Sequence, residues 1–257
     1  MKPGFIGVFD SGVGGISVLG ELISYMPEED FVYFGDSANA PYGNRPVDDV
    51  RRLTLKNIKM LADMGAKAIV VACNTATSAA INDLREIYDM PVIGIEPAIK
   101  PAIEYKKDSV VLCMATAVTV HEEKFCELVS HFSARAAVIP LAATELAGLI
   151  EKGETHSAKT REYLEEILSP YVGKVDSVVL GCTHYPFVKN EIAEIMGETV
   201  KIFDGGRGTA KETKRRLSES GLKKKPGICG SVEIINSLGT PEIISLSKKL
   251  LQSAKKC

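Results

Sequence analysis

Short apolar runs alternate with amphipathic stretches along almost the whole chain. The runs at residues 5–9, 31–35, 68–72, 91–95, 109–114, 136–139, 177–181 and 201–204 predict eight β-strands. In Ile69-Val70-Val71-Ala72 and Val178-Val179-Leu180 the apolar residues stand on successive rather than alternate positions. A strand covered on both faces requires that pattern, so it predicts a parallel sheet. The segments between carry helix boundaries. Pro46 sits where a first turn tolerates proline, and Gly65 sits where the same helix should stop. Ile243, Leu246 and Leu250 mark one face of a last helix that Pro241 helps to start. Strand–helix alternation of this kind predicts an α/β fold.

An internal echo refines that picture. Residues 69–75 (I-V-V-A-C-N-T) line up with residues 178–184 (V-V-L-G-C-T-H), each an apolar strand running into Cys and small polar residues. Residues 7–10 and 110–115 form a second pair at a similar offset. Two similar α/β halves presenting strand ends to a shared cleft would explain both.

Composition narrows the class. The chain has 257 residues, 45% apolar and 25% charged, which excludes a disordered protein and admits one large domain or two modest ones. Thirty-one basic against 33 acidic residues leave a net charge of −2, without the basic excess of a nucleic-acid binder. The cluster Lys211, Lys214, Arg215, Arg216, Lys223, Lys224 and Lys225 reads as the solvated face of a C-terminal helix and the turn after it. The six cysteines (73, 113, 126, 182, 229 and 257) contain no C-x-x-C and lack the density of a disulfide scaffold. Neither a signal-peptide pattern nor an apolar run of about 18 residues is present. The expectation is a cytoplasmic protein with free thiols and no nucleic-acid or membrane partner.

Candidate chemistry gathers at strand ends. Asp10-Ser11-Gly12-Val13-Gly14-Gly15 follows the first strand and precedes a helix. Glycines there let backbone N–H groups approach a ligand, and a helix N-terminus favours an anion. A plain tight turn explains them equally well. The pattern is no dinucleotide fingerprint, because Ser17 holds the third glycine position, and no P-loop, lacking Gly-Lys-Ser/Thr. Asp36-Ser37-Ala38-Asn39-Ala40-Pro41-Tyr42-Gly43 is a polar loop after the second strand, either an ordinary turn with a surface Tyr or part of a ligand edge.

Cys73-Asn74-Thr75 and Cys182-Thr183-His184 are the sharpest features. A lone Cys after a strand is ordinarily an inert hydrophobe, but two at equivalent positions suggest a pair. Near a helix N-terminus, with Asp10 or His184 as neighbour, a thiol's pKa is expected to fall toward neutrality. Two opposed thiols suit inversion of a stereocentre, which needs a base on one face of a carbon and an acid on the other. Ser11, Asn74, Thr75 and Thr183 would form a polar shell for carboxylates. Without a lysine in a pyridoxal-phosphate setting, the chemistry is expected to need no cofactor. His121, His131 and His156, with Cys113, Cys126, Cys229 and Cys257, read as structural or solvated.

At these residues the sequence resembles the bacterial glutamate racemases, of the cofactor-independent aspartate/glutamate racemase superfamily. The resemblance rests on F-D-S-G-V-G-G from Phe9, P-Y-G from Pro41, A-C-N-T-A from Ala72 and G-C-T-H-Y-P from Gly181, supported by P-V-I-G-I-E-P from Pro91 and A-T-x-x-T-V from Ala115. It implies two pseudo-symmetric α/β lobes, residues 1–97 plus 208–257 and residues 98–207, with mainly parallel sheets and the site between them. It implies Cys73 and Cys182 as the two acid/base residues, assisted by Asp10 and His184 respectively. Asp10, Ser11, Tyr42, Gly43, Asn74, Thr75, Thr116, Thr119, Thr183 and His184 would bind glutamate, with no metal or cofactor. Glu151 matches a carboxylate that the family places near the histidine. A homodimer supplying D-glutamate for peptidoglycan is the implied setting. Asp204-Gly205-Gly206, Met114-Ala115-Thr116-Ala117 and Asn236-Ser237-Leu238-Gly239 depart from the usual pattern. Two other readings are a racemase of a related acid such as aspartate and a catalytically silent binding protein on the same fold.

Overall fold

The computed structural model describes residues 4–121, 127, 130, 136–225, 227 and 229–254. Among the described residues nine strands form two sheets, and every strand pairing is parallel. The first sheet holds β1 (Ile6–Asp10), β2 (Phe31–Gly35), β3 (Ala68–Val71), β4 (Val92–Gly94) and β9 (Val232–Asn236), in the order β4-β3-β1-β2-β9. The second holds β5 (Ser109–Ala115), β6 (Ala136–Ala142), β7 (Ser177–Leu180) and β8 (Lys201–Asp204), in the order β6-β5-β7-β8. Read from the other edge, the second order is β8-β7-β5-β6, which repeats the wiring of β4-β3-β1-β2. The internal echo therefore pairs strands of like position: β1 with β5, and β3 with β7.

The successive apolar residues divide between the faces of each sheet. Val70 packs with Ile16, Leu19 and Leu217 on one side. Ile69 and Val71 pack with Ile58, Leu61 and Leu84 on the other. In the second sheet Val178 and Leu180 meet Leu164 and Ile192, while Val179 meets Ile99 and Ala102. Burying each such side chain contributes about 1.5–3 kcal/mol, which fixes the strands before any polar contact is counted.

All eight expected strands are present, with ends shifted by up to three residues. β9 is the one that periodicity overlooks. It lies at a sheet edge, and Val232 and Glu233 are exposed, so it lacks the doubly covered apolar signature. β6 is also an edge strand, and it tolerates Pro140 because an edge strand can spare an N–H. The helix expected after Pro46 runs Val47–Asp63, with Gly65 at φ +96° just past its end. The last helix is Pro241–Ala254, with Ile243 and Leu250 buried and Leu246 packed against the same core.

The basic cluster sits on or just after the helix Gly206–Glu219. Arg215 pairs there with Glu212 and Glu219, while Lys223 and Lys224 pair with Glu28 and Asp30. The chain leaves the first sheet after β4 and returns after β8. At the return, a Cβ on Gly205 would stand 2.5 Å from the Glu96 carbonyl oxygen, so glycine lets the two crossovers run side by side. That gives the departure Asp204-Gly205-Gly206 a structural reason. No helix of the described residues is long and apolar enough to cross a membrane.

Candidate active site

Parallel strands carry their following loops to one edge, and the candidate residues collect there. Asp10 ends β1, Asp36 follows β2, Thr116 follows β5, and Cys73 and Cys182 stand two residues beyond β3 and β7. The two thiols, Ser11, Asn74, Thr116 and His184 line one cavity of about 20 Å³. That is room for roughly one water. A larger cleft of about 810 Å³ lies at the crossovers, lined by Arg85, Lys100, Asp204 and Arg207, and contains neither thiol.

Cys73 caps the helix Asn74–Ile87. Its Sγ accepts from the Ala76 amide at 3.4 Å and donates to Ser11 Oγ at 3.5 Å. The expected fall in its pKa does not occur. Burial first, and then the Asp10 carboxylate, push the Cys73 thiol up to about 12. The long contacts with Ser11 and with the Ala76 amide are too weak to offset burial and a neighbouring anion. Asp10 is itself pushed to about 6, mainly by burial, with His184 opposing the rise. It reaches Cys73 through its charge, while its own hydrogen bonds come from the Gly15 amide at 3.0 Å and from Thr183 Oγ1 at 3.2 Å.

Cys182 has a different surround. Its Sγ lies 3.6 Å from His184 Nδ1, and His184 Nε2 lies 2.7 Å from Glu151 Oε1. Burial works against a charged imidazole here, yet the contacts with Cys182 and Glu151 raise His184 well above its usual value. Burial likewise opposes the Glu151 carboxylate, but His184, the Val13 amide and Ser37 hold it below its usual range. Val13 N–H donates to Oε1 at 2.6 Å and Ser37 Oγ to Oε2 at 3.1 Å. The glycine-rich loop thus does meet an anion, and the anion is the protein's own. A Cβ on Gly12 would fall 1.8 Å from Glu151 Oε1, and one on Gly14 would fall 2.4 Å from His184 Nδ1.

The remaining candidates frame the cavity. Thr75 Oγ1 lies 3.2 Å from Thr116 Oγ1 and 3.3 Å from Thr119 Oγ1, joining the helix after β3 to the loop after β5. Asn74 Oδ1 is buried without a partner among the described residues. Tyr42 is buried rather than on the surface, and its hydroxyl is committed to Asp36 at 2.7 Å. Gly43 lets its loop approach Thr116, where a Cβ would stand 2.6 Å from the threonine Cβ. Cys113 is buried within the second sheet, Cys229 is exposed, and His156 pairs with Glu191 at the surface. His121 is the last described residue of the helix segment Ala117–His121; Cys126, His131 and Cys257 lie outside the described residues.

Three contributors escaped the sequence reading. Ser17 Oγ donates to the Thr183 carbonyl at 2.8 Å, Tyr33 OH to the Gly12 carbonyl at 2.7 Å, and Asn236 Nδ2 to Ser37 Oγ at 2.9 Å. Each acts from a layer behind the cavity, where a single sequence carries no signal of partnership.

Comparison with known proteins gives the chain a family. A family model described as Asp/Glu/Hydantoin racemase matches residues 23–213. A glutamate racemase of Clostridium perfringens is 47% identical over 254 residues, covering 98% of each chain. Among solved structures, a glutamate racemase isoform of Bacillus anthracis superposes with TM-score 0.89 at 30% identity, over 98% of this chain and 95% of that one. The Francisella tularensis glutamate racemase in complex with D-glutamate gives TM-score 0.84 at 28% identity, over 98% and 95%. The chain belongs to the Asp/Glu/Hydantoin racemase family.

Proposed function

We propose that this chain interconverts L- and D-glutamate by proton transfer at Cα between two thiols, without a cofactor. The observation that carries the reading is that Cys73 and Cys182, from equivalent positions of two like-wired sheets, line one cavity. The names of its relatives at 47% identity favour glutamate as the substrate. In each direction one thiolate takes the α-proton from one face. The opposed thiol then delivers a proton to the other face, so the bond broken and the bond formed are both C–H and no electrons are gained or lost.

Asp10 assists Cys73 and His184 assists Cys182. Ser11, Asn74, Thr75, Thr116, Thr119 and Thr183, with the loop of Tyr42 and Gly43, bind the substrate's polar groups. The raised Cys73 pKa gives the α-ammonium group a further role. Brought beside Asp10, its positive charge lowers the cost of forming the thiolate. The two lobes are residues 1–97 plus 208–257 and residues 98–207, and they part to admit a substrate larger than this cavity. A homodimer in the cytoplasm, supplying D-glutamate for peptidoglycan, is the physiological setting that goes with this reading.

The test is L-glutamate in deuterium oxide, with optical rotation and the α-proton signal followed together. Racemisation with loss of that signal, abolished in both Cys73→Ala and Cys182→Ala, is the expected result. No exchange by the native chain would overturn the reading, and exchange of L-aspartate instead would move it to that acid.

A further inference from the structure

The two thiols are wired alike by the sheets but not by what stands behind them. Behind Cys182 runs a chain of contacts that crosses the cleft and ends on the edge strand β9. His184 Nε2 meets Glu151 Oε1 at 2.7 Å, Ser37 Oγ donates to Glu151 Oε2 at 3.1 Å, and Asn236 Nδ2 donates to Ser37 Oγ at 2.9 Å. Two orientations in this chain follow from its partners. Asn236 Oδ1 accepts from the Leu238 amide at 3.0 Å, so its amide nitrogen must face Ser37. Ser37 Oγ, with a lone pair occupied by that nitrogen, has its own proton free for Glu151. The loops are held together by two more bonds, Ala38 N to Ser237 Oγ at 2.9 Å and Ser237 N to the Gly35 carbonyl at 2.9 Å. Asn236 itself is buried.

We infer that Ser37 and Asn236 are positioning residues that hold the Glu151 carboxylate where His184 needs it to serve Cys182, and that they have no such effect on Cys73. The inference rests on the two-thiol reading above. It gives the segment Asn236-Ser237-Leu238-Gly239 a task in the site, although β9 contributes nothing to the cavity wall. Among the described residues Ser37 supplies one of three donors to Glu151, the others being Val13 N–H and the His184 ring. Charged or titratable groups facing this pair are Asp10, the Tyr33 hydroxyl and Cys182. Removing a donor makes the Glu151 anion less stable, so it takes up a proton at higher pH.

The experiment compares Ser37→Ala, Asn236→Ala, the double variant and Ser37→Thr with the native chain. Thermal melts establish that each is folded. The expected fall in kcat/KM is about 3- to 10-fold for either alanine variant, the size of one hydrogen bond. The double variant should fall by less than the product of the two, because both act through one path. The acid limb of the pH profile should move to higher pH in Ser37→Ala and return in Ser37→Thr.

A purely structural defect would not move the next readout. Racemisation has an equilibrium constant of one, so kcat/KM must fall equally from either enantiomer. With α-deuterated substrates, however, the isotope effect should rise only for the enantiomer whose α-proton Cys182 removes. Equal isotope effects with an unmoved acid limb, or unchanged kcat/KM, would overturn the inference. An arm without turnover separates it from the function itself. The His184 ring is titrated by NMR in the native chain and in Ser37→Ala. If the native chain fails to racemise glutamate, the functional reading falls, and a His184 titration unmoved by Ser37→Ala overturns the positioning role as well.

Discussion

Glu151 Oε1 lies 2.7 Å from His184 Nε2 in a part-buried contact that also takes in the Val13 amide of the glycine-rich loop. This carboxylate fixes which ring nitrogen faces Cys182, because with Nε2 occupied Nδ1 is left for the sulfur. Glu151→Gln should lower the His184 pKa toward its ordinary value and reduce kcat/KM by about 10- to 100-fold, the worth of a charge-assisted bond. NMR titration of the ring and steady-state kinetics check both. An unchanged His184 titration would remove Glu151 from the mechanism.

Asp10 offers the opposite trade between function and stability. Its pKa is raised from 3.8 to about 6, so between those values the unfolded chain releases its proton first and stability falls as pH rises. Above about 6 the loss is complete and constant. Asp10→Asn should therefore abolish racemisation yet stabilise the fold at pH 7 by up to about 3 kcal/mol. The gain should vanish below about pH 4. Denaturant melts at the two pH values read the difference directly.

Thiol reactivity separates the cysteines. Burial pushes Cys73 and Cys113 up to about 12, whereas Cys229 is exposed. Brief iodoacetamide treatment of the native chain at neutral pH should label Cys229 and spare Cys73 and Cys113, with all three reacting after denaturation. Mass spectrometry of the peptides gives the answer, and prompt labelling of Cys73 would contradict its burial.

Gly14 bears on the same machinery by taking up no space. Its substitution by alanine would place a methyl 2.4 Å from His184 Nδ1, on the nitrogen that faces Cys182. Gly14→Ala should cost about 1–3 kcal/mol of stability by overpacking and displace the ring, with a larger loss in kcat than in KM. Thermal melts and kinetics measured together separate the two effects.

Much of this was legible in the chain. Consecutive apolar residues such as Ile69, Val70 and Val71 betray strands buried on both faces, and the strand-end cysteines mark the cleft. What escaped depends on distant partners. β9 is a half-exposed edge strand, so its pattern is mixed. The environment of Cys73 is set by burial and by Asp10, neither of which local spacing measures, and the expected lowering of its pKa was therefore reversed. The glycines of residues 12–15 signalled close approach, yet not that the approaching groups would be His184 and Glu151.

The small chamber between the thiols has a consequence for the timing of proton traffic. On the proposed mechanism each conversion leaves one thiol a proton richer and the other a proton poorer, so the protein that has just made one enantiomer is set to reverse the step. A chamber with room for roughly one water gives the sulfurs almost no bath in which to reset. The chain would then carry an isotopic memory of the last molecule it converted, and that memory would last as long as the lobes stay shut.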